Sequence, residues 1–210
     1  CKHTLLHYHN NNTVQFADIN VQQASGSEYS CNIITAKGRI NRTGINIQLA
    51  GERATCNVNS LQWPENNENH DVYLNIDHLC PDTSCDCQSK AIAGEHGCAS
   101  FTGNITVTSA AHFSEAALTN NNVLLSDTGK IFSRPELEID NDEVKCSHGT
   151  TIGKLDSEMI FYLQSRGISL DEARGILLDS FISPVINNLD GSGISHFVKT
   201  FLKDKISNDK

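Results

Sequence analysis

Two side chains able to bind a soft metal stand two residues apart in the run Lys145-Cys-Ser-His-Gly149: Cys146 and His148. In an extended segment alternate residues share a face, so the thiol and the imidazole would point the same way. These are ligand types that iron–sulfur clusters accept. Two ligands are too few for a closed site. The remainder must come from elsewhere, and a partner chain is the natural source. A second ligand-like set is Cys80, Cys85, Cys87 and Cys98. Cys85 and Cys87 can face one side of a strand, and four thiolates can hold zinc or an iron–sulfur cluster. The spacing lacks the usual paired Cys-x-x-Cys, and His78 and His96 are ambiguous extra candidates, so ordinary loop thiols are the default expectation. His3, His7 and His9 form a triplet that could take up a divalent metal adventitiously; a frayed terminus is expected instead. Asp140, Asp142 and Glu143 read as solvated turn acids. There is no Gly-x-Ser-x-Gly elbow, Walker phosphate loop or His-Glu-x-x-His. Any ATP chemistry must therefore belong to a partner.

The 210 residues suffice for one large domain, or a large and a small one. A net charge of -9, with no basic cluster, argues against nucleic acid and against an anionic membrane surface. No apolar run approaches the ~20 residues that span a bilayer, and the opening residues lack a signal-peptide pattern. The start at Cys1-Lys2-His3 reads as part of something longer. Eight cysteines and Asn-x-Thr sequons at Asn11, Asn41 and Asn104 leave a secreted, disulfide-stapled adhesion module as one alternative. The expectation is a cytoplasmic protein with reduced thiols.

The elements that must position these groups fall into two kinds. Residues 1–152 carry short alternating stretches such as Ile45-Ile47-Leu49, Ala54-Cys56-Val58 and Val72-Leu74-Ile76, punctuated by Gly38, Gly44, Gly51, Gly94, Gly97 and Gly103. Short strands with no helical segments between them suit a sandwich, a barrel or a parallel β-helix. Small apolar residues favour a solenoid, which buries its core by stacking turns, although no exact repeat is visible. Asn10–Asn12, Asn66–Asn69 and Asn120–Asn122 read as loop tips. Residues 153–210 read as a small helical domain. Asp156 caps a first helix carrying Met159, Ile160 and Leu163, and Gly167 stops it. Ser169-Leu-Asp-Glu172 opens a second helix carrying Ala173, Ile176 and Leu177, which Pro184 ends. Ile194, Phe197, Val198, Phe201 and Leu202 give a third helix one apolar face.

Four segments in order resemble the SufD branch of the SufB/SufD family of iron–sulfur cluster assembly scaffold proteins. They are Phe101-Thr-Gly-Asn-Ile-Thr-Val107, Asn122-Val-Leu-Leu-Ser126, Pro135-Glu-Leu-Glu-Ile139 followed by Val144-Lys-Cys-Ser-His-Gly149, and Phe161-Tyr-Leu163 with Ser165-Arg-Gly-Ile168. The resemblance implies a right-handed parallel β-helix core followed by a helical domain. It implies a non-enzymatic scaffold whose β-helix edge pairs with SufB. The helical domain would bind the ATPase SufC, with Met159, Leu163, Ile176 and Leu177 as docking residues. It makes His148 the ligand on this side for a transient iron–sulfur cluster at the SufB interface, with Cys146 beside it. It implies no tightly bound cofactor in the isolated chain. An exposed β-helix edge also invites a homodimer when SufB is absent. Ser114-Glu-Ala-Ala-Leu118 departs from the family's Thr-x-Ala-x-Gln, and Cys80, Cys85, Cys87 and Cys98 lie outside its pattern. From a different class, the alternative is a stand-alone metal-binding β-solenoid enzyme built on those four cysteines.

Overall fold

Alternating apolar positions form strands throughout the first part of the chain, and the strands sort by parity. The computed structural model describes residues 1–10, 12–189 and 193–208. Two compact units are present, Cys1–Ile152 and Gly153–Lys210. In the first, one sheet stacks β1 (Lys2–Tyr8), β3 (Glu28–Lys37), β5 (Thr55–Gln62), β7 (Ser84–Ala93), β9 (Glu115–Leu124) and β11 (Lys145–Gly153). The other stacks β2 (Val14–Gln23), β4 (Ile40–Leu49), β6 (Asn69–His78), β8 (Cys98–Val107) and β10 (Lys130–Ile139). Strand pairs are parallel, so the chain crosses from sheet to sheet at every step and winds into a β-solenoid. Val14 lies beside Ile40, Ile40 beside Asn69, Asn69 beside Cys98, and Cys98 beside Lys130, so successive turns take 26, 29, 29 and 32 residues. The varying turn length explains why no fixed repeat is visible in the sequence.

The core lies between the sheets. Ile45, Ile47 and Leu49 on β4 face Cys31 and Ile33 on β3 and Cys56 and Val58 on β5, all buried. Each aliphatic side chain removed from water stabilises the fold by roughly 1.5–3 kcal/mol. Gly44 and Gly103 are not turn residues: both lie inside strands. A Cβ on Gly103 would sit 2.8 Å from Phe101 Cζ and 2.9 Å from Leu118 Cδ2. The missing side chain is what lets that ring pack across the interior. Asn66 and Asn67 do form a turn, with φ of 50° and 66°. Asn120–Asn122 are instead part of β9, with Asn120 and Asn122 buried.

The second unit contains α1 (Ser157–Ser165), α2 (Leu170–Asn187) and α3 (Gly193–Asn208). Asp156 caps α1 by accepting from the Glu158 and Met159 amides, and Gly167 follows it at φ +87°. Ser169 and Glu172 form the reciprocal capping box of α2. Pro184 does not end α2; it sits inside it. A helical proline leaves the carbonyl four residues back without its donor. Here that carbonyl is on Ser180, and Ser183 Oγ donates to it at 3.0 Å. The buried stripe of α2 is Ala173, Leu178, Ile182, Val185 and Ile186, whereas Ile176 is 47% exposed and Leu177 is only half-buried. On α3, Val198 is buried and Phe197 is exposed, its ring stacked on Phe201. The side chains of Ile194 and Leu202 fall outside the described residues. Among the described residues no helix is long and apolar enough to cross a membrane.

Candidate functional site

β11 is the last strand of its sheet and is paired only to β9. Its residues are exposed except for Cys146, which is partly buried against the core. The strand is tied down side chain by side chain. The Lys145 amide donates to Ser114 O at 3.0 Å, and Lys145 Nζ donates to Glu115 Oε1 at 2.7 Å. Thr151 Oγ1 donates to Asn121 Oδ1 at 2.8 Å, and Asn122 Nδ2 donates to Thr151 O at 3.0 Å. Asn120 joins the two sheets: its Nδ2 donates to Ser89 O at 3.3 Å, and its Oδ1 accepts from Ser133 Oγ at 2.6 Å and Thr150 Oγ1 at 3.4 Å. The Asn triplet is thus the brace of the site strand. Its signal in the sequence was the three amides themselves, read there as a turn. Replacing Asn120 by Leu leaves Ser133 and Thr150 without this acceptor inside the structure. The expected loss is about 1–3 kcal/mol in urea unfolding, with faster amide exchange along β11 than along β5.

On this braced strand Cys146 and His148 occupy alternate positions and so share a face. His148 is exposed and opens onto a cleft with Asn104, Pro135, Glu136, Leu137 and Glu138. Pro135 to Glu138 belong to β10, the last strand of the other sheet. The imidazole therefore stands at the open end of the solenoid, where both sheets present an unpaired strand. Burial pushes the Cys146 thiol up from its ordinary pKa, with the Cys85 thiolate adding to the effect. That disfavours the thiolate, the form in which a cysteine ligates.

The second cysteine set does not converge. Cys85 and Cys87 point into the core as the two-residue spacing implies, but Cys80 lies in a turn and Cys98 opens β8 in the opposite sheet. No group of three or more His, Cys, Asp or Glu able to hold a metal exists among the described residues. The partner of Cys85 is Cys56, its register neighbour on β5. His78 Nε2 lies 3.2 Å from Cys85 Sγ, and His78 Nδ1 lies 2.8 Å from Thr83 Oγ1. The Cys85 thiol is held well below its ordinary pKa by hydrogen bonds from Cys56 and Cys87, with His78 contributing. The same bonding, together with burial, pushes Cys56 and Cys87 up. Only the stacking of turns brings Cys56 to Cys85, which is why spacing alone missed it. All eight cysteines are free. Asp140, Asp142 and Glu143 are exposed around the turn before β11, with Glu143 Oε2 3.2 Å from His112 Nδ1.

Residues 1–181 match the family described as SUF system FeS cluster assembly, SufBD core domain. The chain is 35% identical to the iron–sulfur cluster assembly protein SufD of Escherichia coli K12 over 161 residues, which is 77% of this chain and 38% of that protein. It is 30% identical over 185 residues to the chloroplastic protein ABCI7 of Arabidopsis thaliana, covering 87% of this chain and 39% of that one. It is 40% identical over 100 residues to the SufBD family protein slr0076 of Synechocystis, covering 48% of this chain and 22% of that one. The chain spans about two fifths or less of the length of these relatives.

Proposed function

Since this chain belongs to the SufBD core family of SUF-system iron–sulfur cluster assembly, we propose that it is the core and C-terminal part of a SufD-like scaffold subunit. In this reading it catalyses nothing itself. It pairs with a SufB subunit along the open β10–β11 end, binds a SufC ATPase through the helices of residues 153–210, and works in the cytoplasm. His148 supplies an imidazole to a transient iron–sulfur cluster, Cys146 stands by as a second ligand, and SufB completes the coordination. The observation that carries the reading is His148 itself, an exposed imidazole on a braced edge strand with no structural duty. One or two ligands on one chain hold a cluster weakly, which suits an assembly site that must release its product. The same unpaired edge offers itself to a second copy when SufB is absent.

Exposed apolar side chains support the SufC surface. Met159 is 46% exposed, Phe161 73%, Tyr162 52% and Ile176 47%. Leu163 and Leu177 are half-buried, so of the four proposed docking residues Met159 and Ile176 are the most available. The test is co-elution of this chain with its cognate SufB and SufC on a sizing column. A complex of all three is expected, with SufC lost when residues 153–210 are removed. Failure of the chain to bind either protein would overturn the reading.

The rival reading, a stand-alone metalloenzyme on Cys80, Cys85, Cys87 and Cys98, requires those thiols to meet, and their positions in the fold keep them apart.

A further inference from the structure

One cysteine inside the solenoid is surrounded as a nucleophile would be. Cys85 on β7 is 4% exposed, and its Sγ lies 3.2 Å from Nε2 of His78 at the end of β6. The other ring nitrogen of His78, Nδ1, lies 2.8 Å from Thr83 Oγ1. Thr83 Oγ1 also donates to Cys80 O at 3.0 Å and lies 2.8 Å from Ser114 Oγ. A carbonyl only accepts, so that bond takes the single hydroxyl proton of Thr83. The Thr83 oxygen must then accept from both Ser114 and His78. The ring proton of His78 therefore sits on Nδ1, and Nε2 turns a lone pair toward the Cys85 thiol. Thiol, base and the group that orients the base form one chain of hydrogen bonds, the arrangement of an activated nucleophile. His78, Thr83 and Ser114 are all buried, which shields these bonds from bulk solvent.

Two observations define what this thiol attacks. The first is its neighbour. Cys56 on β5 stands beside Cys85 in the register, and the two thiols hydrogen-bond. Adjacent strands lie about 4.8 Å apart, inside the Cα separation of about 4.4–6.8 Å that a disulfide spans. Cys87 also bonds to Cys85, but it lies two residues along the same strand, roughly 6.6 Å away and close to the limit of that range. The second is access. Cys56, Cys85 and Cys146 line one cleft of about 590 Å³, together with Glu115 and Lys145. At 1% and 4% exposure, Cys56 and Cys85 can be reached through it by a molecule as small as hydrogen peroxide and not by a bulky disulfide. We propose that Cys85 is a site of oxidation by small peroxides, and that Cys56 resolves the product to a Cys56–Cys85 disulfide. In the first step the Cys85 sulfur attacks one peroxide oxygen and the O–O bond breaks. The thiol proton passes by way of His78 Nε2 to the leaving hydroxide, which gives a sulfenic acid and water. In the second step the Cys56 sulfur attacks the Cys85 sulfur and the S–O bond breaks. The hydroxyl group leaves with the Cys56 proton as a second water. One peroxide is reduced by two electrons, and two thiols become one disulfide. Cys146 lies on the same cleft, but its thiol bonds to the Ala116 backbone, so peroxide entering there is consumed first at Cys85. The pair needs no partner chain and no cluster, so it stands or falls apart from the scaffold reading.

The test uses the reduced chain alone, treated under anaerobic conditions with an equimolar amount of hydrogen peroxide, then alkylated and mapped by mass spectrometry. Digestion at acidic residues parts Cys56 from Cys85, and cleavage at Asp86 parts Cys85 from Cys87. Loss of two of the eight free thiols is expected, with Cys56 and Cys85 in one cross-linked peptide pair and Cys146 alkylated. Cys56→Ala should keep the fold by circular dichroism, form no disulfide, and leave a Cys85 sulfenic acid that dimedone traps. Thr83 is a positioning residue. Thr83→Val frees the His78 ring and should slow disulfide formation by about 10-fold or more, because positioned proton transfer contributes about 10²–10⁴-fold. Thr83→Ser keeps the hydroxyl and should restore the parent rate. Eight intact thiols in the folded, peroxide-treated parent would overturn the proposal. So would a link from Cys85 to Cys87, or oxidation of Cys146 ahead of Cys85.

Discussion

A subunit carrying His148→Ala should assemble with its partners as the parent does and then fail to build iron–sulfur clusters. The two halves of this expectation come from different observations. His148 is exposed and touches none of the braces that hold β11. Surface changes of this kind usually move stability by less than about 0.5 kcal/mol, so the chain should fold and pair. On the proposed reading, loss of the imidazole removes a ligand from a site that has few to spare. Changing a mere supporting partner of a metal ligand already costs about 10- to 100-fold, so loss of the ligand should lower the rate of cluster formation by on the order of 100-fold or more. The measurement is cluster build-up on the reconstituted complex, followed by visible absorption under anaerobic conditions. Cys146→Ala should be milder, because burial already disfavours its thiolate. Normal cluster formation in the His148 variant would remove this residue from the mechanism. A complex that no longer assembles would instead make it an interface residue.

The second large effect is expected on the helices. Met159→Asp with Ile176→Asp should abolish capture of SufC while leaving the helical unit folded. Both side chains are close to half exposed, so neither substitution buries a charge in the isolated chain. In a docked interface each would desolvate a carboxylate against an apolar partner surface. Central apolar contacts of that kind carry about 2 kcal/mol or more each, and two together imply a loss of roughly 1000-fold in affinity. Calorimetric titration with SufC reads this directly. Unchanged affinity would move the docking surface elsewhere, with the exposed Phe161 and Tyr162 next to be tried.

Much of this architecture could be read before any coordinates. Alternation exposed the strands because each strand has a core face and an outer face. Asp156, Gly167 and the Ser169–Glu172 pair marked helix ends because a cap is chemistry local to four residues. What could not be read depends on neighbours distant in sequence. Asn120 looks like a turn residue until the stack supplies Ser89, Ser133 and Thr150 to satisfy its amide. Pro184 looks like a helix end until Ser183 takes over the orphaned carbonyl. Gly103 looks like punctuation until Phe101 needs its space. The site followed the same division. Cys146 and His148 share a strand, so their common face was legible from spacing. Cys56 meets Cys85, and His7 meets Gln15 and Thr43, only through the winding of the chain.

Strands in one sheet stay in register while the turns between them range from 26 to 32 residues. The corners therefore absorb all the variation in length, and the interior feels none of it. Such a molecule is forgiving of insertion at its corners and intolerant of it along its walls. Residues added at Asn66–Asn67, where the chain already turns with positive φ, only lengthen an excursion into solvent. One residue added within β9 reverses every side chain beyond it, turning Asn120 outward and releasing the strand that carries His148. A lineage of such chains is free to grow ornaments at its corners while the end face formed by β10 and β11 keeps its shape.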